Sequence, residues 1–220
     1  MHLLLALTTR PTESLAHENW LGLHSALDFA RLPEQADACG AVHWPSRYEC
    51  YGANGPYDAS SLGHPTPGIH SGFVRSALRV LLSFEHSFGR ELRAGGRAGF
   101  AFLGSAQGFL PVHAELRLSY APRALRAGRT LAPYAFAGGG VAQVDARFPL
   151  QVNTAPTGEA ESYRPMDAVT VFGRNFGAWG AGLRLCPSAE VELDLGLSAL
   201  ALFPDFGLVL QPSAGLVLGL

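Results

Sequence analysis

From Trp20 to the C-terminus, apolar and polar residues alternate with a period of two, in segments separated by turn residues. The first segment sets Leu21, Leu23, Leu27 and Phe29 against Gly22, His24, Ala26 and Asp28. The second sets Leu78, Val80, Leu82 and Phe84 against Arg75, Ala77, Arg79, Ser83 and Glu85. Leu92, Ala94, Ala98, Phe100 and Phe102 then oppose Arg93, Gly95, Arg97 and Gly99. Next, Val112, Ala114, Leu116, Leu118 and Tyr120 oppose His113, Glu115, Arg117 and Ser119. A fifth segment places Tyr134, Phe136, Ala142 and Val144 opposite Ala137, Gly139, Gln143 and Asp145. Trp179, Ala181, Leu183 and Leu185 alternate with Gly180, Gly182 and Arg184, and Val191, Leu193, Leu195, Leu197 and Phe203 with Glu190, Glu192, Asp194 and Ser198. The last segment sets Leu208, Leu210, Ala214, Leu216, Leu218 and Leu220 against Gln211, Ser213, Gly215 and Gly219. Segments of roughly 9–11 residues match tilted strands that cross a bilayer. The pattern predicts an all-β chain: an eight-stranded antiparallel up-and-down transmembrane β-barrel.

Alternation alone does not say which face is inside, and a soluble barrel would turn its apolar face inward. Three features predict the inverted arrangement. The polar face is rich in Gly, Ala and Ser, which suit the crowded lumen of a narrow barrel. Its charges nearly balance: Arg75, Arg79, Arg93, Arg97, Arg117 and Arg184 against Asp28, Glu85, Glu115, Asp145, Glu190, Glu192 and Asp194, as burial requires. The connections also alternate. Gly89-Arg90 and Cys186-Pro187-Ser188 are tight turns, whereas the two longest connections, about 31–71 and 146–173, fall on the opposite end, as in bacterial barrels with short periplasmic turns and long outer loops.

Composition narrows the classes. A hydrophobic share of 48% is too high for disorder, yet no run reaches the roughly 18 apolar residues of a spanning helix. A net charge of −2 gives no basis for nucleic-acid binding. All 16 basic residues are Arg, which suits enclosed, multiply bonded sites and also fits a GC-rich genome. Residues 1–18 carry no barrel pattern and form a poor signal peptide, so they are expected to be a leader or linker remnant, with residues 19–220 the barrel.

The run Phe109-Leu110-Pro111-Val112-His113-Ala114-Glu115, Pro133-Tyr134, and Gly138 through Asp145 resemble the outer-membrane β-barrel proteins common in myxobacteria, relatives in architecture of OmpA-like and OmpW-like barrels. The first-loop pair Cys39 and Cys50 belongs to the same likeness, which covers roughly residues 19–220. It implies a barrel in the bacterial outer membrane and carries no activity.

Candidate chemistry is sparse. Cys39 and Cys50 share one long loop, where a disulfide is natural in an exported protein; free thiols or a metal site are the alternatives. Cys186 sits in a tight turn as an unpaired bystander. His43, His64 and His70 share the first loop, without the converging spacing of a metal site. His86 is read as structural. A hydrolase needs a Ser–His pair ordered by an acid; Ser83, Ser119, Ser198 and His113 alternate into the lumen, where ordinary packing accounts for them. Glycines at 138–140, 177, 180 and 182 lack the Lys of a phosphate loop and read as strand. Trp44, Tyr48, Tyr51 and Tyr57 in the first loop are candidates for recognition, or else cap the barrel mouth.

The expectation is a non-enzymatic, monomeric outer-membrane protein with a structural or loop-mediated binding role. It needs no cofactor or metal, its surroundings are the lipid bilayer, and its lumen is plugged by paired charges. A narrow pore or small-molecule carrier, a lipid-modifying enzyme and a soluble ligand-binding barrel are the rival readings.

Overall fold

The computed structural model describes residues 17–34, 38–39, 48–57, 67–102, 111–122 and 131–220. Among the described residues there are twelve strands: β1 Asn19–Leu32, β2 Glu49–Gly52, β3 Gly55–Tyr57, β4 Gly72–Phe88, β5 Leu92–Phe102, β6 Val112–Tyr120, β7 Leu131–Ala142, β8 Asp145–Asn153, β9 Tyr163–Val171, β10 Asn175–Leu185, β11 Val191–Phe203 and β12 Gly207–Gly219. Eight of them close an antiparallel barrel in the order β1-β12-β11-β10-β7-β6-β5-β4, with first and last strands paired from Trp20 opposite Gly219 to Ala30 opposite Val209. Closure removes the unpaired edges that make open sheets hazardous.

The alternation of each strand is split across the wall, apolar side outward. Leu82, Leu116, Leu118, Leu195 and Leu197 are exposed, while Arg79, Arg97, Glu115, Arg117 and Asp194 are buried inside. Leu116 is 75% exposed and its neighbour Arg117 only 6%. A soluble barrel would have the opposite polarity, so the soluble rival fails on this point. Such a wall is stable only against hydrocarbon.

Three facings differ from those the alternation predicts. On β7, Tyr134 and Phe136 are buried in the lumen, and Ala135, Ala137 and Val141 form the outward side. The larger apolar set would suit lipid, but here the rings lie under guanidiniums: Arg117 stands 3.7 Å from the Phe136 ring and Arg184 4.4 Å from that of Tyr134. On β4, Arg75 is exposed outside rather than in the lumen. The register passes from Leu27–Leu78 to Phe29–Arg75, so Ser76 and Ala77 together oppose Asp28. That bulge reverses the inside–outside alternation above it. Glu190 is likewise exposed, in the turn before β11.

Connections 31–71 and 146–173 are not plain loops. They supply β2, β3, β8 and β9, which form a second sheet in the order β3-β2-β9-β8. β8 and β9 prolong the β7–β10 hairpin after a break, where Ala142 N–H donates to Arg174 O and Phe172 N–H to Val144 O. The β2–β3 hairpin adds to β9, Cys50 lying opposite Ala168. The inner face of this sheet and the loop-side interior of the barrel share one apolar core. Leu200, Leu202, Val209 and Phe176 of the wall join Cys50, Val152, Met166 and Ala168 of the sheet. The mouth is therefore sealed by a continuous hydrophobic core.

Candidate functional site

The interior has two zones. The apolar zone lies under the outer sheet, and the charged zone fills the half nearer the tight turns. Within the charged zone, pairing follows from strand order. Counted around the eight-stranded ring, β5 lies opposite β11 and β4 opposite β10. Arg93 on β5 grips Glu192 on β11 with two hydrogen bonds of 2.7 Å each. Four residues along, Arg97 meets Asp194 at 3.1 Å, and Arg184 on β10 reaches Glu85 on β4 at 3.5 Å. These three pairs cross the full diameter of the lumen.

Other partners close the network locally. Arg79 and Asp28, both fully buried, pair at 2.6 Å between adjacent strands, and Asp28 also accepts from Gln211 at 2.7 Å. Arg79 also donates to Gln143 O at 3.0 Å. Arg117 holds Glu115 on its own strand, Tyr134 donates to Asp194 at 2.6 Å, and Arg184 to Ser119 at 2.8 Å. Asp145 is buried at the border of the two zones, its carbonyl accepting from Ser76. Charges removed from water at this density survive only when paired and hydrogen-bonded. Trp20, Tyr134, Phe136, Gln143 and Gln211 serve this network but were not singled out for it from the sequence. Trp20 donates its indole N–H to His17 O and Ser87 Oγ and lies beneath Arg93, closing the rim.

One local geometry resembles catalytic machinery. His24 shares a 2.9 Å hydrogen bond with Ser83 Oγ through Nε2, and its Nδ1 lies 3.6 Å from Asp194. That is the order of a Ser–His–Asp relay, but three facts count against turnover. The His–Asp separation exceeds a hydrogen bond. Asp194 is already engaged by Tyr134 and Arg97. The His24 ring is buried and packed against glycine backbone, since a Cβ at Gly22 or Gly215 would collide with it. His113 and Ser198 are also buried and face inward; His113 stacks on Phe176 and lies 3.5 Å from Glu115.

Cys39 and Cys50 form a disulfide that ties the end of β1's connection to β2 inside the outer core. Of the aromatic candidates, Tyr48 is buried rather than available for recognition: its hydroxyl donates to Pro33 O at 2.6 Å and its ring packs edge-on against Phe148. Tyr57 packs against the same core. Tyr51 points outward and donates to Glu49 at 2.6 Å, a bond that pushes its phenol pKa up. Trp44, His43 and His64 lie outside the described residues, as do residues 1–16 and most of the stretch before Val112. Among the described residues no cluster of three metal-ligating side chains occurs.

No family model and no curated protein sequence matches the chain. Solved structures of similar shape include Neisserial surface protein A, at 10% identity and TM-score 0.46, covering 92% of this chain and 97% of that one. The N-terminal β-barrel domain of Pseudomonas aeruginosa OprF matches at 10% identity and TM-score 0.41, covering 91% and 98%. Ail, the attachment invasion locus protein of Yersinia pestis, matches at 13% identity and TM-score 0.42, covering 92% and 99%. The architecture described above rests on this chain's own strand pairing, and these overlaps add nothing to it about activity.

Proposed function

We propose that the chain is a non-enzymatic β-barrel of the bacterial outer membrane. It anchors a compact external sheet in the bilayer and keeps its own lumen shut. The observation that carries this reading is the set of three ion pairs across the lumen, Arg93–Glu192, Arg97–Asp194 and Arg184–Glu85, inside a wall whose outer face is apolar. A charged interior and an apolar exterior fit a barrel surrounded by lipid, and pairs across the diameter fit a plug rather than a water-filled channel. The outer sheet, with Tyr51, Glu49 and the Arg147–Asp167 pair on its exposed side, is then the surface offered to the outside.

Planar-bilayer recording of the refolded chain tests this. Silence at neutral pH is the expected result. Steady, reproducible channels would replace the plug with the narrow-pore reading. Turnover of acylated lipid by the same preparation would favour the lipid-modifying enzyme instead.

A further inference from the structure

Charge interrupts the outer wall where β1 and β4 leave the apolar belt on the loop side. Phe29 stands opposite Arg75 and Arg31 opposite Phe73, so two arginines and two phenylalanines alternate on one small outward area. Arg31, Arg75 and Phe73 are exposed there. Arg75 reaches this face only because of the bulge at Ser76 and Ala77. Among the described residues, neither guanidinium has a hydrogen bond or an ion pair. Diagonal same-face neighbours on paired strands lie about 7–8 Å apart, and like charges so placed repel. Directly below, Leu27, Leu78 and Val80 continue the apolar wall.

We propose that Arg31 and Arg75 form a clasp for the phosphate of an anionic lipid headgroup in the outer leaflet. The inference rests on the membrane placement proposed above. A guanidinium presents parallel N–H donors matched to phosphate oxygens, and one phosphate between two of them removes their mutual repulsion. Phe73 sits at headgroup level, where aromatic rings are favoured. The acyl chains run down Leu27, Leu78 and Val80. A free phosphate offers the same oxygens but gains nothing from this apolar wall, so the ligand is the lipid.

The test uses the full chain and diphosphoryl lipid A. Flotation with phosphatidylcholine vesicles comes first: a chain that stays out of the lipid layer overturns the membrane reading itself. Binding of fluorescent diphosphoryl lipid A to the refolded chain in micelles then tests the clasp. R31Q/R75Q should weaken binding about tenfold or more, R31K/R75K should fall between, and R174Q should leave it unchanged. Dephosphorylated lipid A should bind the wild type no better than diphosphoryl lipid A binds R31Q/R75Q. Two results overturn the clasp while leaving the barrel in place. One is equal affinity of wild type and R31Q/R75Q, both with folded electrophoretic mobility. The other is full displacement of the lipid by an equal concentration of inorganic phosphate.

Discussion

Leu116 and Ser119 lie on the same strand and face different media. Leu116 projects from the wall, whereas Ser119 is buried and accepts from Arg184 at 2.8 Å. Arg in place of Leu116 or Leu195 should cost about 2–4 kcal/mol in vesicles. Ser119→Ala removes one hydrogen bond and should cost about 1 kcal/mol. Urea titration of refolding, followed by electrophoretic mobility, measures both; equal costs would mean that the outer wall does not face hydrocarbon. Cys186 gives a second residue-scale expectation. Burial, and then the nearby Glu192 carboxylate, push its thiol pKa up. Alkylation by iodoacetamide should be slow at neutral pH, and its rate should still climb where that of an ordinary thiol has levelled off. At this scale the sequence was readable wherever polarity and facing agreed, as at Arg97 or Leu195. It was misleading at Tyr134 and Phe136, because period-two alternation names two faces but does not say that an aromatic ring will sit under an arginine. It was wrong at Arg75, which alternation places in the lumen, because nothing in Arg75-Ser76-Ala77 announces that two residues share one place opposite Asp28.

At the scale of elements, β1, β4–β6 and β10–β12 follow directly from alternation, while β8 and β9 do not. Phe148, Leu150 and Val152 do alternate with Arg147, Pro149 and Gln151, but Pro149 and Pro165 argue against strand in a chain read alone. Pairing with β2 and burial of Met166 and Ala168 override that local signal. The outer sheet also bounds what its disulfide does. Cys39–Cys50 closes a segment of sequence separation 11, worth roughly 3 kcal/mol by chain entropy. That contribution falls on the sheet, since the barrel strands complete their own hydrogen bonds. C39S/C50S should therefore admit protease between β1 and β4 in intact vesicles and leave the barrel's folded mobility unchanged. Loss of the folded band would show that the barrel itself depends on the disulfide.

For the whole molecule, the ion pairs matter most as couples. Asp194→Ala leaves Arg97 buried without its carboxylate and also strips a partner from Tyr134, and should cost about 3–5 kcal/mol. R97L/D194L removes both charges and should cost clearly less, by the same unfolding measurement. Equal losses from the single and double variants would mean that the lumen is hydrated enough to solvate a lone arginine. Which charges would meet was not legible in advance. The set of lumen residues follows from alternation, but Arg93 finding Glu192 depends on β5 lying opposite β11, and that depends on strand order and tilt.

The joint between barrel and outer sheet also makes the hairpin tip a mounting point for foreign peptide. The β8–β9 turn is pinned at its base by Thr154 N–H donating to Ser162 O, and by Asn153 Oδ1 accepting from the N–H groups of Ala155 and Ser162. Beyond that clamp, residues 156–162 are exposed and Gly158 adopts a positive φ of 95°. An epitope tag inserted between Gly158 and Glu159 would lengthen a turn whose stems are already anchored in the sealed core, and loop lengthening of this kind is cheap. Antibody staining of unbroken cells carrying the tagged chain should then be bright. Staining that needs permeabilisation would put the sheet on the inner side of the membrane.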